Sequence, residues 1–153
     1  MSRAAVWHVE GIETPDSPDG VVTGRVWLTL KGVEFPFEAW SDFPASVISS
    51  AVNAYSSIVS GDSEAFSYVF DGPYFLYYQY EATGDPLMYI EANCDRDENE
   101  VQSVVVGAVR LDEWRTALLH AVALIQAEIA GKPHMGELEK IFDRHFMLLN
   151  QPA

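Results

Sequence analysis

Between Gly32 and Asp95 the chain carries ten carboxylates and no lysine, arginine or histidine, which accounts for most of a formal net charge of −14. Carboxylates hold metals, pair as acid and base, or recognise cations, and their spacing decides which. Asp95, Asp97 and Asn99 match the first, third and fifth positions of a calcium loop. The sixth position is Glu100 instead of glycine, and the twelfth is Val106 instead of glutamate, so the run reads as an acidic hairpin tip. Glu81 and Glu91, on adjacent strand-like segments, form a pair suited to general acid–base work, although an acid-rich chain supplies such pairs by chance. The four histidines, His8, His120, His134 and His145, fall on separate segments without HxxxH or HExxH spacing and make no ligand set. His145 sits on an apolar helical stripe and reads as a satisfied core residue. Cys94 stands beside the acidic loop, where negative charge opposes thiolate formation, and reads as a small core residue. GxSxG, P-loop, GxGxxG and SxxK motifs are all missing from the sequence. These residues lead to no catalytic, cofactor or metal assignment.

What remains is recognition. The same stretch is rich in tyrosine, whose rigid apolar ring and polar tip suit interface anchoring. The expected contact set is Tyr77, Tyr78, Tyr80 and Tyr89 together with Glu81, Asp85, Glu91, Asp95, Asp97 and Glu98, a surface for lysines or arginines of a basic protein. For any single tyrosine core packing is the simpler reading, but not for the group. A pI near 4.4 argues against nucleic acid, whose phosphates need a basic surface, and against anionic membranes. The charge steers encounter with a basic partner, and its plainer use is solubility.

The elements that position these residues follow from periodicity. Ala4 to Glu10 and Val21 to Lys31 alternate as strands, and Lys31-Gly32 makes a tight turn into a third strand, Val33 to Trp40. Pro36 removes a ladder donor and puts that strand at or near an edge. A helix follows to Gly61, capped by Ser41 or Asp42, with Pro44 in its first turn. Its buried stripe is Phe43, Val47, Ile48, Ala51, Val52, Tyr55, Ile58 and Val59. The opposite face bears serines and Asn53 without a charge, so it fits either close approach of a second copy, as a homodimer, or cover by its own chain. Four strands come next, Ala65 to Phe70, Tyr74 to Glu81, Leu87 to Cys94 and Glu100 to Arg110. On the second, Tyr74, Leu76, Tyr78 and Tyr80 share one face and Phe75, Tyr77, Gln79 and Glu81 the other. Both are too aromatic for one to face water alone. Asp112 caps a helix to Ala130, with a stripe from Leu111 and Trp114 to Ile129. A last helix, Gly136 to Asn150, turns Leu138, Ile141, Phe142, His145, Phe146 and Leu149 inward.

About seven strands, mainly antiparallel, with helices on one face predict a single α+β domain over 1–153. A length of 153 residues, 48% hydrophobic, supports a real core. No apolar run is long enough for a membrane span. The first ten residues lack signal-peptide character and one cysteine fits a reducing compartment, so a cytoplasmic protein is expected.

Trp40 to Ser60 as strand-to-helix, the acidic meander to Arg110, and Leu111-Asp112-Glu113-Trp114 opening an amphipathic helix together resemble small acidic bacterial immunity proteins, which neutralise a cognate polymorphic toxin. The resemblance covers much of the chain in general character and carries no functional residue over by position. It implies a stoichiometric, non-enzymatic inhibitor that blocks a toxin by charge and shape, often a basic nuclease. The alternative expectation is a small-ligand or enzymatic domain with its pocket between sheet and helices.

Overall fold

A computed structural model describes residues 4–81, 86–97 and 100–151. The alternation of the N-terminal segments becomes β1 (Ala5–Glu13) and β2 (Thr23–Leu30), paired antiparallel so that Ala5, Trp7 and Val9 lie across from Leu30, Leu28 and Val26. These six turn toward the core. Lys31 and Gly32 both take left-handed φ, 51° and 80°, as a two-residue hairpin turn demands. The third strand is shorter than expected: β3 is Val33–Phe35 only. Pro36 offers no donor, and Ala39 at φ 60° turns the chain out of the ladder. The chain re-enters as β4 (Ser41–Asp42), opposite Gly24 and Arg25 of β2. β3 occupies an edge of this first sheet, ordered β1-β2-β3 with β4 also on β2.

Several polar groups on the outward side of the first sheet are answered from within. Arg25 pairs with Glu10 at 2.8 Å. Thr29 donates its hydroxyl hydrogen to Glu34 (2.8 Å), so the His8 Nε2 at 2.8 Å from that oxygen must be the donor, since threonine has only one hydrogen to give. The His8 ring in turn stacks on Trp27 with centroids 4.6 Å apart.

Helix α1 (Pro44–Val59) starts from Phe43 without a side-chain cap, which corrects the expected cap by Ser41 or Asp42. Asp42 has another task. Buried, it accepts the N–H groups of Phe43 (2.7 Å) and Asp71 (3.1 Å) and the Trp40 indole (2.9 Å), tying β4 to the Asp71-Gly72-Pro73 turn. The expected stripe from Val47 to Ile58 is buried, while Val59 is exposed. The serine face is partly used inside the chain: Ser50 accepts the Tyr68 N–H at 3.0 Å, and Ser49 lies 3.1 Å from His145 Nε2.

β5 (Glu64–Tyr68), β6 (Tyr74–Tyr80), β7 (Leu87–Asp97) and β8 (Glu100–Arg110) follow as a separate antiparallel meander in chain order. The strands therefore divide into two four-stranded sheets, with three helices, in one α+β domain. α2 (Leu111–Ile129) runs directly on from β8. Its N-cap is Arg110, not Asp112. Asp112 sits inside the first turn, where it accepts the Glu113 N–H at 3.0 Å and its charge suits the positive helix end. α2 packs on β1, and α3 (Gly136–Leu149) packs on α2 and α1. Phe142 and Leu149 of α3 are buried as expected, but Phe146 is exposed. No described helix is long and apolar enough to cross a membrane.

Trp114 joins the parts. It is fully buried, with Trp7 of the first sheet at 5.8 Å and Tyr78 of the second at 5.7 Å. Burying one such ring contributes about 4–6 kcal/mol by area. The buried indole N–H groups of Trp7, Trp27 and Trp114 find no acceptor among the described residues, a cost of about 1–3 kcal/mol each that this packing must outweigh.

Candidate functional site

The meander has a period of two, so its register states which side chains share a face. Ala65 and Ser67 of β5, Leu76 and Tyr78 of β6, and Met88, Ile90 and Ala92 of β7 point inward and are buried. The opposite face is read in rows across the strands. Glu64, Gln79, Tyr89 and Ala108 form one row, and Phe66, Tyr77, Glu91 and Val106 the next. Tyr68 and Phe75 begin a third. No helix of the described chain lies over these rows, and Phe66 is 46%, Tyr68 53% and Tyr89 37% exposed. Single exposed aromatics are ordinary, whereas a contiguous set on one sheet face marks an interaction surface.

The centre of this face is a knot of rings and carboxylates. Phe66 lies 5.1 Å from Tyr77 and 6.4 Å from Phe75. The Tyr77 hydroxyl donates to Glu64 Oε2 at 2.9 Å, and Glu91 stands directly across from Tyr77 on β7. That hydrogen bond, with desolvation and the negative charges of Glu64 and Glu91, holds the Tyr77 hydroxyl above the usual tyrosine pKa. Tyr89 is likewise raised, first by desolvation and then by Glu91. Among the described residues neither Glu64 nor Glu91 belongs to an ion pair. The site is thus an apolar surface with concentrated negative charge that forms no ion pair among the described residues.

The structure brings together only part of the expected contact set. Tyr77, Tyr89 and Glu91 meet on the outer face. Tyr78 does not belong there: it is 1% exposed, packed on Trp114, with its hydroxyl 2.7 Å from Ser67 Oγ and its pKa driven well up by burial. Tyr80 shares its inward face and packs, half-buried, against the core. Glu81 follows β6 and is exposed. The register sets Glu91 against Tyr77, so Glu81 lies about 13 Å farther along the strand, and the two do not form an acid–base pair. Asp95, whose N–H bonds the Pro73 carbonyl at 2.7 Å, lies at the far end of β7. The backbone of Asp97 pairs with Glu100, so the run is flanked by paired strands and not by the two helices of a calcium-binding hand. Asp85 and Glu98 lie outside the described residues. Among the described residues no group of three or more histidine, cysteine or acidic side chains is placed to hold a metal.

Sequence reasoning missed Glu64 and the contribution of β5 and β8. The signal was present: Glu64, Phe66 and Tyr68 alternate, and pairing through the Asp71-Gly72-Pro73 turn puts them beside Tyr77. Between sheet and helices, where the alternative reading sets its pocket, the described Leu76, Ile90, Leu118 and Ile125 are fully buried. An open cleft of about 340 Å3 lies at the first sheet, lined in part by Gly11, Arg25, Asp42 and Asp71. Two of its polar side chains are already engaged, Asp42 by three donors and Arg25 by Glu10. No family model, curated protein or solved structure matches the chain.

Proposed function

We propose that this chain is a non-enzymatic binding protein, an immunity-type inhibitor, that neutralises a basic protein such as a bacterial toxin by docking it on the outer face of the second sheet. One observation carries the reading: exposed Phe66, Tyr68 and Tyr89 surround carboxylates that no described cation neutralises. Aromatic anchors with a charged surround are the usual anatomy of a protein interface. The run from Gly32 to Asp95, free of any basic residue, selects a partner of opposite charge and speeds its approach. A cytoplasmic place of action, before a toxin can damage its producer, accords with the single cysteine.

The test is capture from a native lysate at low and high salt, with the double variant Phe66→Ala/Tyr89→Ala run beside the unmodified chain. The expected result is one basic protein, weakened by salt, lost with the double variant at an unchanged melting temperature, and harmless to cells only when co-expressed with the unmodified chain. Equal capture by the double variant places the contact elsewhere. Capture of nothing at either salt rejects the reading.

A further inference from the structure

We propose that the knot formed by Phe66, Tyr77, Glu64 and Glu91 is an arginine-binding subsite, in which a guanidinium of the partner stacks on the ring pair and is held by both glutamates. The inference rests on the basic-partner reading above and narrows it from charge to chemistry.

The geometry distinguishes the two basic side chains. Glu64 and Glu91 lie on β5 and β7, either side of β6, Glu91 across from Tyr77 and Glu64 one row away across from Gln79, so their backbones stand two strand spacings and two residues apart, about 11–12 Å on the diagonal. The rings of Phe66 and Tyr77, inclined at 43° with centroids 5.1 Å apart, flank the gap between them, Tyr77 on the middle strand and Phe66 next to Glu64 on β5. A cation entering this gap must leave water on its ring side. An ammonium is a compact, strongly hydrated charge and loses much by doing so. A guanidinium is planar, weakly hydrated at its faces, and presents donors around its edge. It can lie flat on an aromatic ring while its in-plane N–H groups reach carboxylates to the side.

The carboxylates are set for this use. Glu64 spends one oxygen on the Tyr77 hydroxyl, which orients the group and leaves its other oxygen as an acceptor. Glu91 is half-buried, flanked by Tyr77 on one strand and Val106 on the other with the Tyr89 hydroxyl in reach, a partly desolvated setting that raises the worth of a matched cation. Within the described residues the chain supplies neither glutamate with a cation. The raised Tyr77 hydroxyl pKa agrees with a locally negative potential at that point.

The experiment compares an oligo-arginine peptide with an oligo-lysine peptide of equal length, both with blocked ends, titrated into the full chain at low salt by calorimetry. The expected result is about ten-fold tighter binding of the arginine peptide. That preference should be erased by Phe66→Leu, which keeps apolar bulk and removes the ring face, and reduced by Glu64→Gln, each variant melting as the unmodified chain does. Equal affinity for the two peptides overturns the arginine subsite and leaves the basic-partner reading standing. A preference that persists in both variants also overturns it, by placing the selectivity elsewhere. Binding of neither peptide overturns both readings.

Discussion

The two sheets of this protein finish their outward faces in different ways. On the first sheet several charged or polar groups have an answer nearby: Glu10 has Arg25, Glu34 has Thr29, and the wide surface of Trp27 has the His8 ring. On the second, Glu64 is met only by a tyrosine hydroxyl, and Phe66 and Tyr68 stand about half exposed. Both faces contain glutamates and aromatic rings, so composition does not separate them. What separates them is closure. A face that satisfies itself has little to gain from a partner, whereas one that holds apolar area and unmatched charge gains from both when covered.

The contrast assumes that both sheets hang on one core, and removing the shared pivot is the harshest test. Trp114→Ala should cost about 3–5 kcal/mol, read by denaturant unfolding. Far-ultraviolet circular dichroism and indole fluorescence should fall in a single transition. Two separated transitions would mean that the sheets are independent units and that their faces need no common explanation. A smaller effect is expected from His8→Ala, which removes the bond to Thr29 and the ring over Trp27 and should cost about 1 kcal/mol. It should leave partner binding unchanged. If binding falls as far as it does in the Phe66→Ala/Tyr89→Ala variant, the assignment of closed and open faces is reversed.

The finest test is spectroscopic. Removing the Glu64 charge by Glu64→Gln should bring the Tyr77 hydroxyl back down toward its ordinary value, because the carboxylate that favours the protonated phenol is gone. In an ultraviolet alkaline titration this appears as one tyrosine ionising earlier than in the unmodified chain. An unchanged titration curve would show that the potential at the centre of the face does not come from Glu64.

Much of the fold was readable from local pattern. The stripe from Leu111 and Trp114 to Ile129 is buried along α2, and Lys31-Gly32 turns as glycine at that position implies. The division into two sheets was not readable, because alternation tells which residues share a face and says nothing about which strands are neighbours. The site was legible in part for the same reason. Tyr77 and Tyr78 look alike in a strand aromatic on both sides. Which of them is inside is settled by Trp114, from a helix far along the chain. Glu64 went unnoticed because it opens its strand, and its closeness to Tyr77 exists only in the paired register.

The distribution of indoles has an optical consequence. Trp7 and Trp114 are sealed in the interior and Trp27 is sealed on the first sheet, while Trp40 is held beside Asp42. None of the four tryptophans of the chain stands in the rows of Phe66 and Tyr89, and those that meet this sheet, Trp114 and Trp40, do so at Tyr78 and Tyr74. Emission excited in the indole band therefore reports unfolding and registers a cover on the outer face only at second hand. Tyr89→Trp would give that face a lamp of its own, and titrations of a docked ligand could then be followed by light without attaching a dye.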